Sequence, residues 1–91
     1  MSISIFKIAN LFSTSTRNMF VISGNIILGE ITAGMFLVSE ENDVRFKINS
    51  IEEIRSEEIE ESIGLTFIYK ELSEIEPLTK LKRGDSVLII K

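Results

Sequence analysis

The sequence predicts an all-β fold in which about seven short strands curl into a small barrel. Three observations indicate this class. Gly24, Gly29 and Gly34 recur at intervals of five in an apolar stretch, isoleucine, valine and phenylalanine are abundant, and short apolar segments alternate with turn residues. Because glycine weakens a strand, regular glycines are expected where the backbone turns, bulges or approaches another strand closely. We therefore expect residues 24–34 to form a tightly bent strand pair.

The first strand is expected over residues 2–12. Its apolar alternation changes phase at Ile5-Phe6, which indicates a bulge or a strand that is buried on both faces. Residues 13–16 have the sequence Ser-Thr-Ser-Thr, which predicts a polar loop.

Three further strands are expected over residues 19–23, 35–39 and 44–49. The last of these shows clean period-two alternation, which is typical of a half-buried strand. Residues 40–43 predict an acidic hairpin turn between the second and third of these strands, with Asn42-Asp43 at its tip.

Residues 51–62 contain six glutamates, and their apolar residues are isoleucines at 51, 54 and 59. These spacings leave a gap in any helical face. We expect a strand end through Ile54 and then a solvated acidic loop. The alternatives for the segment 52–61 are a divalent cation site and a surface that mimics a polyanion and binds a basic partner, although the spacing of a calcium-binding EF-hand is missing.

Residues 63–69 predict a central strand. Phe67 and Tyr69 lie on one face of it and Ile68 on the other, so either face could be the interior. After this strand we expect a short helical turn over 72–76 that ends at Pro77.

The last part of the chain predicts a turn and a final strand. Residues 80–85, with the sequence Lys-Leu-Lys-Arg-Gly-Asp, indicate a basic turn with Gly84 at positive φ. Residues 87–90 are apolar and predict the final strand. If the barrel leaves an edge uncovered, the contiguous apolar residues Leu88-Ile89-Ile90 are where self-association is expected.

The composition excludes several classes of function. The chain has no cysteine, so it has no disulfide, no thiolate zinc site and no cysteine nucleophile. It also has no histidine, which removes the usual general base near neutral pH and the serine–histidine arrangements of hydrolases. We therefore expect a protein that is not an enzyme and that carries no metal or other cofactor.

Charge and hydropathy narrow the partners and the location. The formal net charge of −4 opposes a broad nucleic-acid footprint, which depends on clustered lysine and arginine. No apolar run is long enough to cross a membrane, and the first twenty residues mix polar and apolar positions unlike a signal peptide. We expect one cytoplasmic domain over residues 1–91 that does not associate with membranes.

The basic residues near the C-terminus have two interpretations. They can form an ordinary exposed turn, or they can form a small RNA or phosphate contact together with the residues that follow the strand over 63–69. The candidate partner contacts are Tyr69, Lys70, Lys80, Lys82 and Arg83. The glycines expected at structural turns are Gly24, Gly29, Gly34, Gly64 and Gly84.

Four segments occur in a recognisable order: VISGNIILGEITAGMFLV at 21–38, INSIE at 48–52, IGL at 63–65 and KRGDSVLI at 82–89. Together they resemble the second domain of translational GTPases such as elongation factor Tu. The resemblance implies a closed, Greek-key-like barrel of six or seven strands. It also implies contact with the end of a transfer RNA, with ribosomal RNA or with neighbouring domains. It does not imply GTP hydrolysis, because no phosphate-binding G-x-x-x-x-G-K-[ST] loop occurs.

The function expected from these observations is a stand-alone, non-enzymatic binding module for another protein, such as an adaptor. The alternative is a translation-linked contact with RNA or the ribosome, like that of the second domain of elongation factors. That alternative lacks the arginine-glycine pair that ends the family's V-G-L strand, since Ile68-Tyr69 stand at that place. The expected partner is an unidentified protein, and self-association is a further expectation.

Overall fold

In the described part of the chain, seven antiparallel strands form one curled sheet, so the predicted all-β class is confirmed. The computed structural model describes residues 3–14, 18–39, 44–56 and 59–91, and for residues 54–56 and 59–61 it describes the backbone alone. The strands are β1 (Ile3–Thr14), β2 (Met19–Leu28), β3 (Phe36–Ser39), β4 (Val44–Lys47), β5 (Ser50–Ser56), β6 (Ile59–Ile68) and β7 (Ser86–Ile90). Their order across the sheet is β4-β3-β7-β1-β2-β6-β5.

The two outermost strands of this order, β4 and β5, are separated in the chain by Ile48 and Asn49 alone. The Ile48 N–H donates to the carbonyl oxygen of Met35, which precedes β3, over 2.8 Å. The next N–H, that of Asn49, donates to the carbonyl oxygen of Thr66 in β6 over 2.7 Å. Since two residues pass from the β3 side of the sheet to the β6 side, the sheet must be strongly curled.

One hydrophobic core lies on the inner face of the curl. Cross-strand pairs such as Phe20 with Phe67 bring large side chains together there, and the connection between β6 and β7 adds Ile75 and Leu78. The buried residues of this core are Phe6, Ile8, Phe20, Ile22, Ile31, Met35, Leu37, Phe46, Ile48, Leu65, Phe67, Ile75, Leu78, Val87 and Ile89. The phenylalanine of the strand over 63–69 is thus interior, and Ile68 faces outward.

The glycine-spaced stretch differs from its prediction. β2 continues without a turn through Gly24 as far as Leu28, so residues 24–34 are a strand end and a loop and not a bent strand pair. Gly24 is needed for a close approach, because a Cβ built on it would overlap the carbonyl oxygen of Lys7. The pairing of β1 with β2 shifts register beside this point, between Ile8 and Asn10. The prediction of a turn at Gly24 is therefore wrong.

The other glycines divide into two groups. Gly64 lies within β6, where it pairs with Ser23, so the prediction of a turn there is also wrong. Gly29, Gly34 and Gly84 have positive φ values of 78°, 94° and 89° and lie outside the strands.

Two predicted polar turns overlap parts of the chain that lie outside the described residues. The loop expected over 13–16 is wrong for Ser13 and Thr14, which belong to β1 and pair with β2. Residues 15–17 lie outside the description, as does the predicted acidic turn over 40–43 with Asn42-Asp43 at its tip.

The glutamate-rich segment forms two strands where a solvated loop was expected. β5 extends to Ser56, and β6 begins at Ile59, which pairs with Ser56. Hydrogen bonds between antiparallel backbones do not depend on an apolar side-chain pattern, so the low strand preference of glutamate was misleading. Residues 57 and 58 lie outside the described part.

A 3₁₀ turn (Leu72–Ile75) and a short helix, α1 (Glu76–Thr79), connect β6 to β7. Pro77 lies in the first turn of α1, so the prediction that it ends the helical segment is wrong. Proline fits there because the first N–H groups of a helix have no intrahelical acceptor. No helix in the described ranges is long and apolar enough to cross a membrane.

The positions of β6 and β7 in the sheet also differ from expectation. β6 lies between β2 and β5, one strand in from the outermost position, and β1 is the central strand. β7 pairs with β3 on one side and β1 on the other, so Leu88-Ile89-Ile90 is not an uncovered edge.

Candidate functional site

Two of the predicted partner contacts, Tyr69 and Lys70, lie where β6 ends. The Tyr69 N–H donates to the carbonyl oxygen of Asn18 over 3.1 Å, and the half-buried Tyr69 side chain packs against the core. The Lys70 side chain is exposed, and the Lys70 N–H donates to Oε2 of Glu74 over 2.6 Å.

The predicted contacts Lys82 and Arg83 are exposed on the turn before β7. The Lys82 N–H donates to Oδ2 of Asp85 over 2.9 Å, and the Gly84 N–H donates to the carbonyl oxygen of Ile8 over 2.8 Å. The turn is therefore fixed against β1 with its two cations in solvent.

The five predicted contacts do not form one cluster. Asn18 lies at the end of β1 marked by Thr14, whereas the Lys82–Asp85 turn meets β1 at Ile8. Six strand residues separate these points, which corresponds to about 20 Å. Lys80 lies after α1, with Nζ 3.6 Å from Oε1 of Glu76.

The acidic side chains of the described residues do not form a metal site, and one of them, Glu74, has a structural role. No three of them lie close enough together to hold a metal ion in that part of the chain. The pKa of Glu74 is lowered from its ordinary value of 4.5, because its carboxylate accepts hydrogen bonds from the backbone N–H of Glu71 and then from that of Lys70. This carboxylate caps the start of the 3₁₀ turn and thus acts on local structure.

The outer face of β3 and β7 carries apolar side chains, although an exposed sheet face usually carries polar ones. Leu37 in β3 is fully buried in the core, so the neighbouring Phe36 and Val38 point outward. The same alternation in β7 directs Leu88 and Ile90 outward. All four of these outward side chains are partly exposed.

The register of the sheet joins these side chains into two rows. The first row crosses five strands and consists of Arg45, Val38, Leu88, Ile5 and Leu28. The second row crosses four strands and consists of Lys47, Phe36, Ile90 and Ile3. We call the apolar members the outer wall: Ile3, Ile5, Leu28, Phe36, Val38, Leu88 and Ile90. Ile3 and Leu28 keep 46% and 55% of their surface exposed.

The end of β2 continues the outer wall along a strand edge. Within the described residues, β2 pairs with β6 as far as Gly24 but pairs with β1 as far as Leu28. In this last part Ile27 is 58% exposed, whereas Ile26 is opposite the buried Phe6 and so lies on the inner face, with 39% of its surface exposed at the sheet edge. The outer wall thus ends on a strand with one unpaired side.

Basic residues border the outer wall. Arg45 and Lys47 are exposed on β4 at the ends of the two rows, and Lys7 lies two residues after Ile5 on the same face of β1. We call these three residues the basic rim. None of them forms an ion pair within the described part of the chain. Lys7 pairs with Ser86, so the turn that carries Lys82 and Arg83 leads directly to this rim.

Acidic residues are absent from both rows. Glu30 lies near the end of the second row, where it lines a depression of about 460 Å³ together with Ile3 and Lys91. Among the described residues that border the outer wall, three are basic and Glu30 is acidic, in a chain whose formal net charge is −4.

Sequence reasoning missed the outer wall because it assigned the apolar runs to the core or to an edge. The sequence nevertheless contained a signal for the outer wall. Phe36-Leu37-Val38 and Leu88-Ile89-Ile90 are unbroken apolar triplets, and such runs are typical of strands covered on both faces.

No protein-family model, curated protein or solved structure matches this chain. The candidate site therefore rests on the geometry of the chain itself.

Proposed function

We propose that this chain is a non-enzymatic module that binds another protein through its outer wall. The observation that carries the proposal is the pair of apolar rows across the outer face of β3, β7 and β1. Antiparallel sheets that face water usually keep that face polar, so two apolar faces are typical of a sheet covered on both sides. Contiguous apolar surface of this kind marks interaction sites.

The energetic argument supports a protein partner. Covering a half-exposed leucine or isoleucine gains about 1 kcal/mol. The seven side chains of the outer wall would together give several kcal/mol, part of which offsets the cost of association. The end of β2 adds Ile27, which is exposed beside Leu28 of the wall.

The proposal includes the fold type to which the sequence resemblance points. We take the curled sheet to be a closed, Greek-key-like barrel of the translation-factor domain 2 type, working in the cytoplasm. The hydrogen bonds of Ile48 and Asn49 to opposite sides of the sheet support closure. Hydrogen exchange tests it, since closure predicts that the adjacent Ile48 and Asn49 amides, which donate to opposite sides of the sheet, both exchange slowly. Exchange of either amide at the rate of an unprotected amide would contradict closure.

A translation-linked RNA contact is the second candidate, and the exposed cations Lys82 and Arg83 favour it. Two features oppose it. The outer wall is mostly aliphatic and offers bases few aromatic surfaces for stacking. The predicted contacts at Tyr69 and at the Lys82–Asp85 turn lie about 20 Å apart along β1.

Site-specific photo-crosslinking tests the proposal. The photoreactive residue p-benzoylphenylalanine replaces Phe36 of the outer wall in cells that express the chain. The matched control replaces Phe12, an outward aromatic residue of β1 that is 44% exposed and lies far from both rows. We expect ultraviolet light to give a protease-sensitive adduct with another polypeptide at position 36 and none at position 12.

The competing results are distinct. Equal adducts at both positions, or no adduct at position 36, would refute the proposal. A nuclease-sensitive adduct at position 36 would favour the RNA candidate instead.

A further inference from the structure

We infer that the partner of the outer wall is an acidic amphipathic helix of another protein. This inference rests on the proposed function and specifies its partner. The first reason is charge: Arg45 and Lys47 border one end of the two rows, and Lys7 borders the first row on its other side. These cations have no ion-pair partner in the described residues, so carboxylates on a partner can meet them.

The dimensions of the outer wall fit one helix. Because the sheet is strongly curled, a straight helix can follow its outer face over only a few adjacent strands. Strands β3, β7 and β1 span two interstrand spacings, or about 10 Å, and the two rows lie two residues apart, or about 7 Å. About two turns of helix have this length, and a helix diameter of about 10 Å covers both rows. Its apolar stripe would lie on the wall, acidic residues at one end of the helix would meet Arg45 and Lys47, and acidic residues on one flank would meet Lys7.

A second copy of the chain fits less well. Two copies that met through the same wall would bring their basic rims together around a twofold axis. Like charges placed against each other at an interface are unfavourable. The basic rim therefore disfavours dimerisation through the outer wall.

A lipid surface and an RNA also fit less well. Membrane-bound faces insert their apolar side chains into lipid, whereas most of the outer wall is half-buried among its own neighbours. RNA bases stack on aromatic rings, and Phe36 is the one aromatic residue of the wall.

Two designed peptides test the inference with the full-length chain. Both are sixteen-residue amphipathic helices with the same leucine stripe, and the flanks are glutamate in one and lysine in the other. Fluorescence anisotropy of the labelled peptides measures binding. We expect the glutamate peptide to bind about tenfold more tightly than the lysine peptide at about 0.15 M salt, where screening over about 8 Å limits the comparison to nearby charges, and we expect this ratio to shrink in about 1 M salt.

Charge-reversed variants locate the effect. Arg45→Glu/Lys47→Glu should reverse the preference, because both side chains are exposed and adjacent to the outer wall. The matched control Lys70→Glu/Lys80→Glu makes the same change of charge at exposed lysines away from it and should leave the ratio unchanged. Circular dichroism checks that both variants remain folded, and the single variant Lys7→Glu provides an independent reversal on the other side of the wall.

The outcomes separate this inference from the proposed function. Equal binding of the two peptides, or the same preference in the Arg45→Glu/Lys47→Glu variant, overturns the acidic partner even if position 36 crosslinks to a protein. Binding of neither peptide together with no crosslink at position 36 refutes both proposals. Dimerisation that Leu28→Ser abolishes would identify a second copy as the occupant, and binding to anionic vesicles or to poly(U) without peptide binding would identify lipid or RNA.

Discussion

The two halves of the sheet share one core on the inner face but differ on the outer face. Strands β3, β7 and β1 direct the apolar outer wall toward solvent. Strands β2 and β6 carry the small or polar residues Ser23, Gly64 and Thr66 on their outer face, together with the buried Val21 and, at the end of β6, the exposed Ile68. The contiguous rows of partly exposed apolar side chains thus lie on β3, β7 and β1.

The buried polar side chains on the outer face of β2 and β6 form hydrogen bonds with neighbouring strands. Thr66 is 1% exposed, and its Oγ1 accepts the Ser50 N–H over 2.9 Å and lies 2.7 Å from the Ser50 hydroxyl. Ser23 is buried as well, and its hydroxyl donates to the carbonyl oxygen of Asn10 over 3.4 Å. Neighbouring strands thus satisfy the hydrogen bonds of these two buried hydroxyl groups.

The largest expected effect comes from the inner face beneath the outer wall. Leu37→Ala should lower the free energy of unfolding by about 3 kcal/mol, because it leaves a cavity at a fully buried position. Urea denaturation measures this loss. The control Leu28→Ala, at a residue that is 55% exposed on the outer wall, should lose far less. Similar losses at the two positions would mean that the outer wall is part of the fold's own core.

This contrast shows which parts of the fold could be predicted from the sequence. The strand over 44–47 was predictable because its side chains alternate, and the strand over 86–90 because it is apolar and follows a turn with Gly84. An apolar triplet such as Leu88-Ile89-Ile90 identifies a strand, but it does not say whether the chain itself covers the second face.

Long-range pairing was beyond local reasoning. β7 lies beside β1, with Ile90 opposite Ile3, and no local pattern specifies partners so distant in the chain. The basic rim could not be predicted for the same reason, because Lys7 and Arg45 border one surface only through the pairing of β7 with β1 and β3. The two predicted cations Lys82 and Arg83 lie next to the site, whereas Tyr69 does not.

A smaller effect is expected on the polar outer face. Thr66→Val keeps the shape of the side chain but removes the acceptor for the Ser50 N–H, which should cost about 1–2 kcal/mol. Equilibrium unfolding measures the loss. Thr79→Val is the matched control, because the Thr79 hydroxyl is exposed in its hydrogen bond to Glu76 and its removal should cost less than about 0.5 kcal/mol. Equal losses would show that the buried network does not stabilise this half.

The outer wall itself should tolerate polar substitution. Ile3→Ser/Leu28→Ser should change the free energy of unfolding by less than about 1 kcal/mol, since both side chains are about half exposed. The same variant should lose the crosslink at position 36, because it removes apolar surface at the end of each row. A retained crosslink at full yield would place the partner elsewhere, and severe unfolding would assign the wall to the fold.

The smallest effect is expected in the connection between β6 and β7, which belongs to neither outer face. Hydrogen bonds from the Glu71 and Lys70 N–H groups lower the pKa of Glu74 in the folded state, so NMR titration of its carboxyl should give a midpoint below 4.5. Because the folded pKa lies below the unfolded one, this contribution to stability is present above the unfolded pKa and is lost as the pH falls through the folded pKa. Glu74→Gln should make hydrogen exchange of the Lys70 and Glu71 amides faster and less dependent on pH in this acidic range, while the amides of β7 keep their protection. A Glu74 midpoint at or above 4.5 would show that the carboxylate does not hold the 3₁₀ turn in solution.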